Sequence, residues 1–185
     1  MDSNKTLPQA VAQLDLSSEV DKHAIMSELI ELAHEHEYTD VEVNTDKPWG
    51  AYVRFSGGDA EKFLADFFPE LSLVEAQLGV PGAELSPKFL LVAPGQRLSW
   101  QYHARRAERW VFLTTGAYHR SITDDTGSLV HASAGSEVQF QAGERHRLAA
   151  NPASYTLVAE IWQHTTPGQP SDEADIVRLE DDYSR

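Results

Sequence analysis

Leu98-Ser99-Trp100-Gln101-Tyr102-His103-Ala104-Arg105-Arg106-Ala107-Glu108-Arg109-Trp110 is the stretch on which the fold turns. It reads as a strand over Arg97 to His103, a break, and a further strand whose clearest run is Trp110 to Thr114. Gln101 and His103 are two apart in the first strand, so their side chains leave on the same face of a sheet. Taking Ala104 to Ala107 as a hairpin loop places Glu108 directly opposite His103, and Trp110 opposite Gln101, on the next antiparallel strand. Directly opposed residues have Cβ atoms roughly 4.5 to 5.5 Å apart, close enough for an imidazole and a carboxylate to hold one metal ion. The plainer reading is a surface hairpin with ordinary polar side chains.

Outward from this stretch the β pattern continues. Phe89 to Ala93, Ala117 to Thr123, Leu129-Val130, Glu137 to Gln141 and Tyr155 to His164 are short β-type runs, punctuated by glycine, proline and asparagine. Strands at roughly ten-residue spacing, without helical patterns between them, predict an antiparallel sandwich or barrel. Upstream the period changes to that of helices. Ser17 or Ser18 can cap a helix in which Ile25, Met26, Leu29, Ile30 and Leu32-Ala33 form one stripe, ending near His36. Its histidines, His23, His34 and His36, stand among Glu31, Glu35 and Glu37 and read as a solvated face. A second helix is predicted from Asp59 to about Phe68, with Pro69 as its stop. Residues before about Leu16 are expected to fray or lie across a neighbour. The segment to about Val80 is expected to pack outside the barrel and stabilise it, Lys47 to Gly50 excepted. The tail from Pro167 to Asp175 reads as loop, and its acidic residues as solvated surface.

The chain has 185 residues, within the usual range of one domain. Its 15 Lys and Arg against 29 Asp and Glu give a net charge of -14, which argues against nucleic acid or an anionic membrane as partner. Any phosphate must therefore meet a local cationic cluster. Without cysteine there is no disulfide, zinc ribbon or iron-sulfur site, and a metal would need His, Glu, Asp or Gln. The polar start, interrupted by Pro8 and Gln9, lacks the apolar core of a signal peptide, and no run approaches the ~20 apolar residues of a membrane span. A cytoplasmic protein is expected.

A second motif strengthens the metal reading. Gly135, Gln141-Ala142-Gly143, His146 and Asn151 form another strand-turn-strand unit with a histidine just past its turn. With Gly95, Gln101-Tyr102-His103, Glu108 and Gly116, it resembles the two linked motifs of the cupin superfamily. Two positions depart from the general pattern: Gln101 stands for the first histidine and Gln141 for the usual proline. A narrower resemblance accommodates Gln101. Lys47-Pro48-Trp49-Gly50, Leu98 to His103, Arg106 to Trp110, Gly143 to Leu148 and the closing Asp175 to Arg185 are similar to the phosphomannose isomerase domain of type II enzymes, here resembling a stand-alone form. Arg105 and Arg109 stand where that family often has His, and Ser184 where it often has Gly.

The resemblance implies a mainly β, double-stranded β-helix or jelly-roll barrel over residues 47–185, with residues 1–46 as an N-terminal helical extension in one compact unit. It implies a divalent metal on Gln101, His103, Glu108 and His146. The donor chemistry suits Zn first, with Mn, Fe, Co or Ni as alternatives, and leaves coordination positions open for a substrate. Arg106 and Arg147 are the candidates for binding a substrate phosphate, with Arg106 also near the chemistry. Lys88, expected at a rim, and Glu160 are candidates for proton transfer. Trp49 is a candidate cover of the barrel mouth, whereas Trp100, Trp110 and Trp162 read as core. The expected reaction is mannose 6-phosphate to fructose 6-phosphate, in a protein expected to be a homodimer. A lyxose-type free-sugar isomerase, an iron oxygenase using His103, Glu108 and His146, and a non-catalytic sugar-binding cupin are the rivals.

Overall fold

The structure is a computed structural model and describes residues 5–183; Ser184 and Arg185 of the closing block lie outside the described residues. In chain order it comprises α1 (Leu7–Val11), α2 (Lys22–Glu35), β1 (Asp40–Asn44), β2 (Gly50–Phe55), a 3-10 turn (Gly57–Asp59), α3 (Ala60–Phe67) and α4 (Leu73–Ala76). Then come β3 (Leu85–Val92), β4 (Trp100–Tyr102), β5 (Arg106–Phe112), β6 (Gly116–Ser121), β7 (Leu129–Ala132), β8 (Glu137–Phe140), β9 (Arg145–Ala150), β10 (Thr156–His164) and β11 (Val177–Glu180). The strands form two antiparallel sheets, of order β1-β2-β3-β10-β5-β8 and β11-β4-β9-β6-β7, the mainly β arrangement expected from the strand spacing.

The larger sheet is covered on both faces, which explains why all nine residues of β10 are buried. Leu157, Ala159 and Ile161 join Val53, Phe55, Phe89 and Leu91 in a core shared with Ile25, Met26 and Leu29 of α2 and Phe63, Leu64 and Phe67 of α3. Val158, Trp110, Phe112 and Phe140 face the other way, toward Leu148 and Ala150 of the smaller sheet, and form the barrel core. The helices therefore pack outside the barrel, as their apolar stripes predict. Residues 1–46 are not helical throughout, because β1 pairs with β2 as an edge strand of the larger sheet. Residues before Leu16 include α1, whose Leu7 and Val11 are buried against this helical layer. Gly50 permits the tight entry to β2: its φ is +153°, and a Cβ there would lie 1.9 Å from the Leu91 carbonyl oxygen.

Three local expectations are corrected. The helix cap is Asp21, not Ser17 or Ser18, and its carboxylate accepts from the amides of His23 and Ala24. An anionic side chain there also complements the helix dipole. The hairpin between His103 and Glu108 does not form. β4 pairs with β11 and β9, whereas Arg106 and Ala107 already belong to β5 and pair with His164 and Gln163 of β10. The short link therefore crosses from one sheet to the other. The acidic tail is no mere solvated surface, since Ser171 and Asp175 are buried and the Asp175 carboxylate accepts from the amides of Ala104 and Arg105 at 3.0 and 2.9 Å.

His164 ties the tail to the sheet. Its Nδ1 accepts from the Ser171 amide at 2.9 Å, which leaves Nε2–H to donate to Ser86 Oγ, also at 2.9 Å. Burial, with the nearby Arg106 charge, pushes this imidazole down to about 4. The unfolded chain takes up that proton at its ordinary 6.5, so lowering the pH from 6.5 toward 4 favours unfolding. Thermal unfolding should show the midpoint dropping across this window in the wild type and dropping less steeply in His164→Gln. Equal slopes would count against the assignment.

Candidate metal centre

Sheet register assembles the site. Across the larger sheet, Glu160 is the register partner of both Lys88 and Trp110, while Trp162 is the partner of both Ser86 and Glu108. Side chains of one register row share a face, so Lys88, Glu160, Trp110, Trp162 and Glu108 all look into the barrel. In the smaller sheet Gln101 of β4 lies directly opposite His146 of β9, and Arg178 of β11 lies opposite Gln101. His103 follows β4 at the point where the chain leaves for β5.

His103, Glu108 and His146 are buried, and their ligand atoms lie within 4.8 Å of one another. His103 Nε2 is 3.0 Å from Glu108 Oε1, and His146 Nε2 is 3.2 Å from Glu108 Oε2. Each ring is oriented by a carbonyl on its other nitrogen: Asp175 for His103 Nδ1, and Glu144 for His146 Nδ1 at 3.1 Å. A carbonyl can only accept, so both Nδ1 atoms carry the proton and both Nε2 atoms present lone pairs to a carboxylate. His146 Nε2 is indeed a buried atom with no hydrogen-bond partner among the described residues. Three acceptor groups aimed at one point fit a cation. Burial alone would raise the Glu108 carboxyl, and a positive charge facing it, on protonated His103 and His146 rings or on a cation held between them, brings it well below the usual carboxylate range. Phe140 stacks on His146 with ring centroids 4.6 Å apart and restrains the imidazole from one side.

Beside these ligands is a cavity of about 50 Å³ lined by Gln101, Glu108, Trp110 and Glu160, with Lys47, Trp49, Lys88, Arg106, Glu173 and Arg178 among the other lining residues. Trp49 is buried in this wall. Lys88 is not at a rim but in mid-strand, 5% exposed, 3.9 Å from Glu160 Oε2 and 3.0 Å from Glu173 Oε1. Glu160 Oε1 accepts from the Trp110 indole at 2.8 Å. Burial and the Glu108 charge push the Glu160 carboxyl up to about 8, against the opposing pull of Lys88 and Arg106. Trp100 leaves on the face opposite Gln101 and is fully buried there, with its indole donating to the Asp124 carbonyl.

The two arginines expected to bind phosphate separate. Arg106 reaches the cavity, but its guanidinium donates to Glu108, Ser171 Oγ and the Asp172 carbonyl, and its plane stacks on Trp162 at 3.8 Å. It orients the centre and ties the tail to it. Arg147 does not reach the cavity. It follows His146 in β9 and so leaves on the opposite face, where it donates to Glu180. Sequence reasoning missed Arg178, Glu173 and Asp175. Arg178 is exposed and lines the cavity, and its guanidinium makes no hydrogen bond or ion pair with another described residue. It stands in the closing block Asp175 to Glu180, but only the pairing of β11 with β4 turns it toward Gln101.

Two antiparallel sheets enclosing an inward-facing His-Glu-His group define a cupin. Oxalate decarboxylase from Bacillus subtilis at pH 4.6 has a similar fold, with a TM-score of 0.51 at 12% identity over 75% of this chain and 30% of that one. A point variant of that enzyme matches with a TM-score of 0.50, also at 12% identity over 75% and 30% of the two chains. The chain belongs to the mannose-6-phosphate isomerase C-terminal family, whose model matches residues 81–181. It is 34% identical over 105 residues to the alginate biosynthesis protein AlgA of Pseudomonas aeruginosa, a match that covers 56% of this chain and 20% of that protein. The chain thus spans about a fifth of the curated relative it matches.

Proposed function

We propose that this protein is a metal-dependent aldose-ketose isomerase of a phosphorylated hexose, with mannose 6-phosphate to fructose 6-phosphate as its reaction. The observation that carries the reading is the convergence of His103, Glu108 and His146 beside a cavity that also presents Lys47, Lys88 and Arg178. Family membership supports the substrate class. His103, Glu108 and His146, with the Gln101 amide opposite His146, would hold a divalent ion, Zn before Mn, Fe, Co or Ni. Such an ion would supply a Lewis acid that polarises the sugar carbonyl and its neighbouring hydroxyl.

The chain's own groups supply the rest. Glu160 Oε1 is held by the Trp110 indole, so Oε2, on the Lys88 side, is the oxygen free to take a proton from one sugar carbon and return it to the next. A carboxyl raised toward neutrality suits both halves of that transfer. Lys88 Nζ stands 3.9 Å from that oxygen, and Trp49 and Trp162 exclude water from the cavity wall. Phosphate recognition falls to the cations that face the cavity, Arg178 foremost because its guanidinium is uncommitted.

A panel of phosphorylated and free aldoses, assayed on metal-reconstituted protein, tests this. Turnover of mannose 6-phosphate is expected; turnover of free aldoses alone would replace the reading with a free-sugar isomerase, and binding without turnover with a sugar-binding cupin. Losing one charge-assisted hydrogen bond costs about 1.5 to 3 kcal/mol, so Arg178→Ala should raise KM for the phosphorylated sugar roughly 10- to 150-fold. Arg147→Ala should show no such selectivity. The reverse pattern would return the phosphate to Arg147.

A further inference from the structure

The cavity at the metal centre is too small for the substrate proposed above. About 50 Å³ accommodates roughly four waters, whereas ligand pockets usually begin near ~300 Å³. A second cavity of about 430 Å³, lined by Arg54, Ser86 and Asp172 among others, lies alongside, and Trp162 and Glu173 line both. These two side chains are the partition. Trp162 is fixed, with the Lys88 ammonium 4.3 Å from its ring and the Arg106 guanidinium at 3.8 Å. Glu173 is held differently. It sits in a turn between two buried anchors: Ser171, bonded to His164 and Arg106, and Asp175, bonded to the amides of Ala104 and Arg105. Asp172, Glu173 and Ala174 between them are exposed. The Glu173 side chain is 43% exposed, and its hydrogen bond to Lys88 Nζ at 3.0 Å is what carries it across the opening. That one side chain is bracketed by anchors with their own bonds, so rotating it outward moves neither and removes its part of the partition.

We propose that Glu173 is a resident counter-anion, which the phosphate of an incoming substrate displaces from Lys88, so that the pair selects for anionic ligands. The inference rests on the phosphorylated-substrate reading. Lys88 is buried against the rings of Tyr52 and Trp162, at 4.1 and 4.3 Å, and removing its ion-pair partner without replacement is costly. A phosphate ester restores the lost charge on arrival, and its near-double charge outbids one carboxylate. A neutral sugar entering by the same route leaves Lys88 short of its partner. Glu173 is therefore a specificity residue, distinct from the groups that hold metal or move the proton.

The test is titration calorimetry of metal-reconstituted wild type, Glu173→Gln and Glu173→Ala with inorganic phosphate and with mannose 6-phosphate, repeated in a Lys88→Met background. Freed of its internal competitor, Lys88 should bind both ligands about tenfold more tightly in either Glu173 variant, equivalent to one charged hydrogen bond of the weaker kind. The gain should vanish when Lys88 is methionine. Unchanged affinity in both Glu173 variants, or a gain that persists with Lys88→Met, overturns the role of Glu173 and leaves the proposed reaction standing. Absence of binding by either ligand to all the proteins, with turnover of free aldoses, overturns the phosphorylated-substrate reading and the inference with it.

Discussion

Glu108→Gln and His146→Ala should each abolish stable metal binding, and with it at least about a thousandfold of any isomerase rate. Losing a group that merely orients a ligand typically weakens metal affinity by roughly 10- to 100-fold, and here a ligand itself is lost. Glu108 is the only carboxylate among the three converging groups, so its amide variant removes the negative charge that offsets the ion in a buried site. His146→Ala removes the Nε2 lone pair that has no other partner. Elemental analysis after exhaustive dialysis against a defined zinc solution should give about one ion per wild-type chain and a small fraction of that for either variant. Equal metal content in all three proteins would end the metal assignment. Circular dichroism should meanwhile show both variants folded, because the barrel core around Trp110, Phe112 and Leu148 does not depend on the ion.

Phe63→Ala should be the most destabilising single change in the helical layer. Phe63 is fully buried, and its ring centroid lies 4.9 Å from that of Phe67, 5.4 Å from Phe89 and 6.2 Å from Phe55, so one side chain joins α3 to β2 and β3. Truncating a phenylalanine so placed costs about 3 to 5 kcal/mol, a large share of a domain stability of about 5 to 15 kcal/mol. Denaturant titration should show the loss as a shifted midpoint at unchanged slope, and Phe63→Leu should recover most of it. The folded fraction of Phe63→Ala should retain its metal, because this layer lies on the face of the sheet opposite the centre. A loss under about 1 kcal/mol would contradict the stabilising role of the helices.

Much of the fold was legible because hydrophobic periodicity is local. The stripe from Ile25 to Ala33 and the aromatic face from Phe63 to Phe68 require helices with one buried side, and the short runs after Lys88 require strands. The convergence of His103, Glu108 and His146 was legible through residue type and motif spacing. The expected hairpin gives way to a non-local alternative: Arg106 and Ala107 are strand residues only by pairing with His164 and Gln163, far along the chain. The capping role of Asp175 on that link was equally invisible in an acidic tail. Arg147 is a different case. Strand alternation already places it on the face opposite His146, so parity argues against the phosphate role that proximity in sequence suggested.

Sequence alone therefore determined which faces are apolar, and resemblance named Gln101, His103, Glu108 and His146 as a candidate set, of which His103, Glu108 and His146 converge in the structure. Tertiary structure alone decided that His103 meets Glu108 from the facing sheet and not as a hairpin partner, that Arg178 and not Arg147 looks into the cavity, and that Glu173 stands on Lys88. The division has a physical reason. Periods of 3.6 and 2 residues set the direction of each side chain relative to its own element, whereas what it meets depends on hydrogen-bond register between strands distant in sequence, which no local pattern encodes.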